Sequence, residues 1–362
     1  MERLRTTLLT LLVSVSMQAQ NASVPIDENH FPDPGFRQWL SQNFQPEEIP
    51  TVTDLSIVYN GGFYDPAEAI RSLEGIEYFE SLEKVRLVRL PNVHTFDFSK
   101  NIGLVSFYSD DLVFSEIDFS GCHELAYVTI HGYTSQSLSF MSNQKLRILT
   151  VLGGGLKSLD MSANSELTGL SLINCSNLEI LDLSKNTALE NLYIFGSGLY
   201  SLDLSENVAL KMAEISYNNF LSSLLFSQNM NSLGNSETVD LERIRVYDAA
   251  VAISHNPSLE TEALDAFVNS LPAVDMPTVM DATDTSISFG SLRKAVDKGW
   301  IVFFSYEGQS YDTYNNPDII SSVKSPVANC VQPVSYDLWG RQVKYRPNMG
   351  VYIQNGHKYL IK

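Results

Sequence analysis

The sequence predicts an α/β repeat solenoid: a right-handed superhelix, predominantly β, built on a parallel sheet, with short helices in its caps. Three observations predict it. Leu181-Asp182-Leu183-Ser184-Lys185-Asn186 and Leu202-Asp203-Leu204-Ser205-Glu206-Asn207 repeat one L-D-L-S-x-N motif 21 residues apart. A second motif, L-x-x-L-x-L, starts at Leu82, Leu104, Leu125, Leu146, Leu167, Leu189 and Leu210, in steps of 21 or 22. The partner motif starts at Phe96, Ile117, Leu138, Leu159, Leu181 and Leu202 and keeps the same register. A period of that size, held by two columns at once, belongs to stacked repeats and not to a globule around one active site.

The spacing dictates how each turn is built. In L-x-x-L-x-L the last two apolar residues stand two apart, so on a short strand both face inward. One such strand per turn makes a parallel sheet, and each turn hides its leucines only against the turns beside it. The L-D-L-S segment does the same on a second side, with Leu181 and Leu183 inward and Asp182 outward. The Asn of S-x-N (Asn101, Asn164, Asn186, Asn207 and Asn229) falls where the chain turns. A stacked Asn there satisfies backbone groups that the turn leaves unpaired.

Taken in order, residues 1–20 read as a secretory signal: Arg3 and Arg5, an apolar run from Leu8 to Val15, and Met17-Gln18-Ala19 as the cleavage end. That run is too short to span a bilayer and no later one qualifies, so the expectation is export without membrane insertion. The destination is the periplasm, the outer surface or the extracellular space. Residues 21–80 are not repetitive and read as an N-terminal cap, which a solenoid needs to cover its first apolar end. The repeats occupy 81–230. They degrade after Asn219, with a polar insertion from Met230 to Glu237 and a last repeat strand at Val251-Ala252-Ile253. Residues 231–308 form a C-terminal cap whose helix, 260–270, buries Leu264, Phe267 and Val268 and closes on Leu271-Pro272. A polar linker follows at 309–333, then a small β tail at 334–362 with hairpins around Gly turns.

These motifs resemble the exported bacterial leucine-rich repeat proteins of the internalin-like, Bacteroidetes type, over about residues 26 to 305. The resemblance covers the N-cap signature F-P-D-x-x-F-R at Phe31 to Arg37. It extends to the C-cap helix ending in L-P, Ala263 to Pro272, and to Lys298-Gly299-Trp300. Related caps carry an acidic D-x-D-x-D-G loop after the first helix. Asn43 to Ile49 stands in its place here, so no calcium is expected at that point. The tail, Ser335 to Val343 and Gly350 to Lys358, is similar to a Bacteroidetes sorting tail, though short. The resemblance implies a secreted or cell-surface recognition protein.

Charge narrows the partners. The chain carries 42 Asp and Glu against 24 Lys and Arg, a net −18, which repels nucleic acid and anionic membranes. The three cysteines, Cys122, Cys175 and Cys330, show no C-x-x-C spacing, so they read as small buried hydrophobes and not as a zinc site or disulfide framework. The Asp of L-D-L-S recurs at Asp97, Asp118, Asp160, Asp182 and Asp203. Stacked carboxylates can hold a cation or work as an acid/base pair. Catalysis, however, needs unlike environments, and a repeat supplies like ones. The six histidines are scattered, no nucleophile motif appears, and Gly153-Gly154-Gly155 lacks the Lys of a phosphate loop. No catalytic residue, metal ligand or cofactor is assigned.

The informative residues are those that break the repeat. The third, fifth and seventh places of each L-x-x-L-x-L unit point outward and vary. They read Ser106, Tyr108, Asp110; Tyr127, Thr129, His131; Ile148, Thr150, Leu152; Gly169, Ser171, Ile173; Asn191, Tyr193, Phe195; and Met212, Glu214, Ser216. Exposed aromatics and Met are enriched where proteins meet partners. Tyr108, Tyr127, His131, Ile148, Tyr193, Phe195 and Met212 are therefore the expected contacts for a protein or glycan ligand. The alternatives are a structural surface component without a soluble ligand, or a metal-dependent hydrolase. The oligomeric state is not legible.

Overall fold

The computed structural model describes residues 23–62, 65–230, 233, 249–274, 278–306 and 309–316, with the backbone of strands at 335–337, 342–343, 350–354 and 357–361. The expected signal at 1–20, residues 317–333 of the expected linker, and Cys330 lie outside the described residues. The chain divides into two compact units, Met1–Asn186 and Thr187–Lys362.

The first unit opens on helix α1 (Pro34–Asn43). Asp33 starts it, its carboxylate accepting the Phe36 N–H at 2.6 Å and the Arg71 N–H at 3.2 Å. Arg37 reaches back to the carbonyls of Phe31 and Pro32 at 2.6 and 2.7 Å. Phe31 is fully buried, edge-on to Phe36. F-P-D-x-x-F-R is thus a helix start locked to its own lead-in. The strands follow: β1 (Asp54–Val58), β2 (Lys84–Val88), β3 (Thr95–Asp97), β4 (Ser106–Asp110), β5 (Glu116–Asp118), β6 (Tyr127–His131), β7 (Ser137–Ser139), β8 (Ile148–Leu152), β9 (Ser158–Asp160) and β10 (Gly169–Ile173).

Strands β1, β2, β4, β6, β8 and β10 stack in that order as one parallel sheet. Their register is unbroken: Ser56 lies beside Arg86, Arg86 beside Tyr108, Tyr108 beside Thr129, Thr129 beside Thr150, and Thr150 beside Ser171. The predicted second side differs. It is two separate pairs, β3 with β5 and β7 with β9, and not a sheet. Leu181 and Leu183 keep their inward places without pairing as a strand.

Turn chemistry holds that side instead. Asp97, Asp118, Asp160 and Asp182 each accept the N–H of the Ser two residues on, at 2.7–2.9 Å. Behind them runs a buried ladder. Asn143 donates to the carbonyls of Phe119 and Cys122, Asn164 to those of Phe140 and Asn143, and Asn186 to those of Met161 and Asn164. Cys122 occupies the same column, its thiol meeting the Phe98 carbonyl at 3.1 Å. Burial pushes that thiol up to about 12 and the Cys175 thiol up to about 11, so both stay protonated.

The second unit runs β11 (Asn191–Phe195), β12 (Ser201–Leu204), β13 (Met212–Ser216), β14 (Ser223–Phe226), β15 (Ala249–Ala252), α2 (Thr261–Ser270), β16 (Thr278–Ala282), α3 (Phe289–Asp297), β17 (Trp300–Tyr306) and β18 (Gln309–Asp312). Strands β11, β13, β15, β16 and β17 are parallel. The strand at Val251 is therefore not the last of the repeats. The sheet continues through β16 and β17 while α2 and α3 replace the second-side strands. Gln309–Asp312 is strand and not linker: β18 turns back antiparallel on β17 and covers an edge that would otherwise expose unpaired N–H and C=O groups. Asn229 is exposed, so the column of S-x-N residues does not reach it as a buried ladder.

The L-P and K-G-W elements act on one another. Lys298 donates to the carbonyls of Val268, Asn269 and Leu271 at the end of α2, and the Trp300 ring N–H donates to the Pro272 carbonyl at 2.9 Å. In the tail, β19 (Ser335–Asp337), β20 (Gln342–Val343), β21 (Gly350–Gln354) and β22 (His357–Ile361) form a four-stranded antiparallel sheet.

Candidate functional site

Strands β4, β6, β8, β10 and β11 alternate buried and accessible residues, so the third, fifth and seventh places of these repeats do face outward. Ser216 is the exception: it is buried, its hydroxyl 3.3 Å from that of Ser254. Tyr108, Tyr127, His131 and Ile148 stand on the face of the first unit, and Tyr193, Phe195 and Met212 on that of the second.

In the first unit these residues stand on the neighbouring strands β4, β6 and β8. Tyr127 and Ile148 are register neighbours, each 43% exposed. His131 Nδ1 lies 2.7 Å from Asp110 Oδ1. That hydrogen bond, with a further one from Tyr108, holds the Asp110 carboxyl below its ordinary value. Tyr108 also lies 6.0 Å from the His131 ring. The guanidinium of Arg86 sits 5.4 Å over the Tyr108 ring. Arg86 was missed in the sequence, although it holds the fifth place of the Leu82 unit and the register alone would have found it.

In the second unit the Tyr193 hydroxyl is 3.6 Å from Met212 Sδ, and burial pushes its ionisation up. Phe195 packs at 4.7 Å against Tyr217, which stacks on His255 at 4.2 Å and 6°. His255 Nε2 is 2.9 Å from Asp284 Oδ2. Tyr217, His255 and Asp284 have φ of +62, +58 and +54, one to three residues past the ends of β13, β15 and β16, and Gly196 just past β11 has +66. Bulky side chains there cost about 1–2 kcal/mol each. No leucine spacing marks them, so the stack leaves no signature in the sequence.

Among the described residues no group of three or more His, Cys, Asp or Glu is placed to hold a metal ion. The Asp column is taken up by its own Ser residues: the hydroxyl and N–H of Ser162 hold Asp160 below its ordinary value, and the N–H and hydroxyl of Ser184 do the same for Asp182. What the two faces present is contact chemistry: rings, hydroxyls and charges on rigid, register-locked strands.

No family model matches the chain, and no curated protein matches it. Solved structures do. The functional domain of InlJ from Listeria monocytogenes, which includes a cysteine ladder, aligns at 19% identity over 74% of this chain and 59% of its own length, with a TM-score of 0.47. The internalin inlF of the same organism aligns at 14% identity over 80% and 99%, TM-score 0.34. The leucine-rich repeat protein LIC12759 of Leptospira interrogans aligns at 15% over 74% and 79%, TM-score 0.38. At such identities and scores the assignment of the leucine-rich repeat fold rests on this chain's own strand register and ladders.

Proposed function

We propose that this is an exported, non-enzymatic recognition protein that holds a protein or glycan ligand on the outward face of its parallel sheet. One observation carries the reading. The inward rows and the turn columns keep to a few residue types, whereas the outward rows vary and carry half-exposed rings on paired strands. Residues 1–20 would direct export, and the tail, which resembles a Bacteroidetes sorting tail, would act after it.

Each face is tested by itself. Tyr108→Ser with Tyr127→Ser, and separately Tyr193→Ser, are expected to weaken any ligand recovered by glycan array or pull-down more than tenfold. The melting temperature should stay within a few degrees, because none of these rings belongs to the core. Full binding by both variants would reject the reading in favour of a structural component. Deleting Ser335 to Lys362 and following where the chain accumulates tests the tail.

A further inference from the structure

The middle outward row of the first unit reads Ser56, Arg86, Tyr108, Thr129, Thr150, Ser171, on six successive paired strands. Every member is a hydrogen-bonding side chain and none is acidic. The hydroxyls of Ser56, Thr129, Thr150 and Ser171 make no hydrogen bond among the described residues, whereas Thr134, Thr168 and Ser41 spend theirs on backbone carbonyls. Four of the six members are therefore uncommitted hydroxyls, on strands about 4.8 Å apart.

Charge is distributed to match. Of the 22 Asp and Glu between residues 23 and 186, only Asp54 and Asp110 stand on this face, against Lys84 and Arg86 of the 10 Lys and Arg. Asp54 is paired with Lys84 at 3.5 Å and Asp110 with His131 at 2.7 Å. Arg86 is left over: among the described residues no carboxylate lies within ion-pair distance of it, and its contact is the Tyr108 ring. An acidic unit thus keeps its acids off one face and leaves there an unneutralised guanidinium, the group that meets carboxylates in a two-pronged fork. Acids elsewhere on the unit act through solvent and are screened within about 8–10 Å.

Building on the recognition reading above, we infer that this row binds an acidic glycan, a polyhydroxylated chain with its carboxylate on Arg86 and its hydroxyls along Thr129, Thr150 and Ser171. An acidic peptide fits less well. Its same-side groups recur about every 6.6–6.8 Å, out of step with rows about 4.8 Å apart, and the strands beneath have their backbone groups already paired.

The test is titration calorimetry on the full chain with oligogalacturonate and oligoalginate, their carboxyl-reduced neutral counterparts, and poly-glutamate. The acidic oligomer is expected to bind at least tenfold tighter than its reduced form. Arg86→Gln should abolish that preference, and Thr129→Val with Thr150→Val should weaken both forms alike, with melting temperatures unchanged. The inference is overturned if neither uronate binds, if poly-glutamate binds equally well, or if Arg86→Gln keeps the preference. A protein ligand lost on Tyr108→Ser with Tyr127→Ser but retained by Arg86→Gln would overturn the glycan assignment while leaving the broader reading standing.

Discussion

At the scale of single residues, the buried ladder carries the stability that leucines alone do not. Asn164 donates to two carbonyls of the preceding turn, at 3.1 and 2.8 Å, in a fully buried place. Asn164→Ala leaves both carbonyls short and is expected to cost about 2–4 kcal/mol in denaturant unfolding. Cys122 is the imperfect rung, since one thiol replaces two amide donors. Cys122→Asn regains a donor toward the Asn101 carbonyl and should stabilise by about 1 kcal/mol, read as a higher unfolding midpoint. The outward face gives a pH prediction. Asp110 is held below its ordinary 3.8, chiefly by the hydrogen bond from His131. A carboxyl lowered by folding contributes stability above its unfolded value and loses it as pH falls through the folded one. His131→Ala should therefore move the Asp110 titration up toward 3.8 by NMR, and the variant should lose less of its stability on acidification below about pH 4. An unmoved titration would show that the pair is not what holds Asp110.

At the scale of elements, the residue just past β2, β4, β6, β8 and β10 turns left-handed: Arg89, Asp111, Gly132, Gly153 and Asn174, at φ from +52 to +81. Gly132 and Gly153 share that conformation but not their surroundings. A Cβ on Gly132 would collide with the Leu112 carbonyl oxygen, while one on Gly153 meets nothing within 4 Å. Gly153→Ala should cost about 1–2 kcal/mol, the backbone penalty alone, and Gly132→Ala about 3 kcal/mol or more. Equal unfolding midpoints for the two variants would refute the collision. This scale also marks the limit of what the sequence made legible. The L-x-x-L-x-L strands, their outward places and most ladder asparagines follow from spacing, because a buried row admits few residue types. Asn143 escaped because Met141 breaks the S-x-N pattern ahead of it, and β16 because its turn carries α2 in place of the second motif. The Tyr217–His255 stack escaped because an exposed turn position leaves no periodic trace, and only geometry reveals that it recurs.

At the scale of the whole molecule, the net charge of −18 raises the question of what cations do to it. Two outcomes are physically distinct. If the recurring L-D-L-S carboxylates formed a cation site, calcium would raise the melting temperature saturably, and magnesium or sodium at equal ionic strength would not. If each carboxylate instead serves its own turn, any cation relieves the general self-repulsion and the ions differ little once ionic strength is matched. The geometry favours the second. Asp97, Asp118, Asp160, Asp182 and Asp203 each have an oxygen engaged by a Ser N–H at 2.7–2.9 Å, and a repeated turn gives every member the same task. Calorimetric scans in calcium, magnesium and sodium chloride at one ionic strength should therefore give the same modest upward shift. A calcium-only shift that saturates would assign the column to metal binding after all.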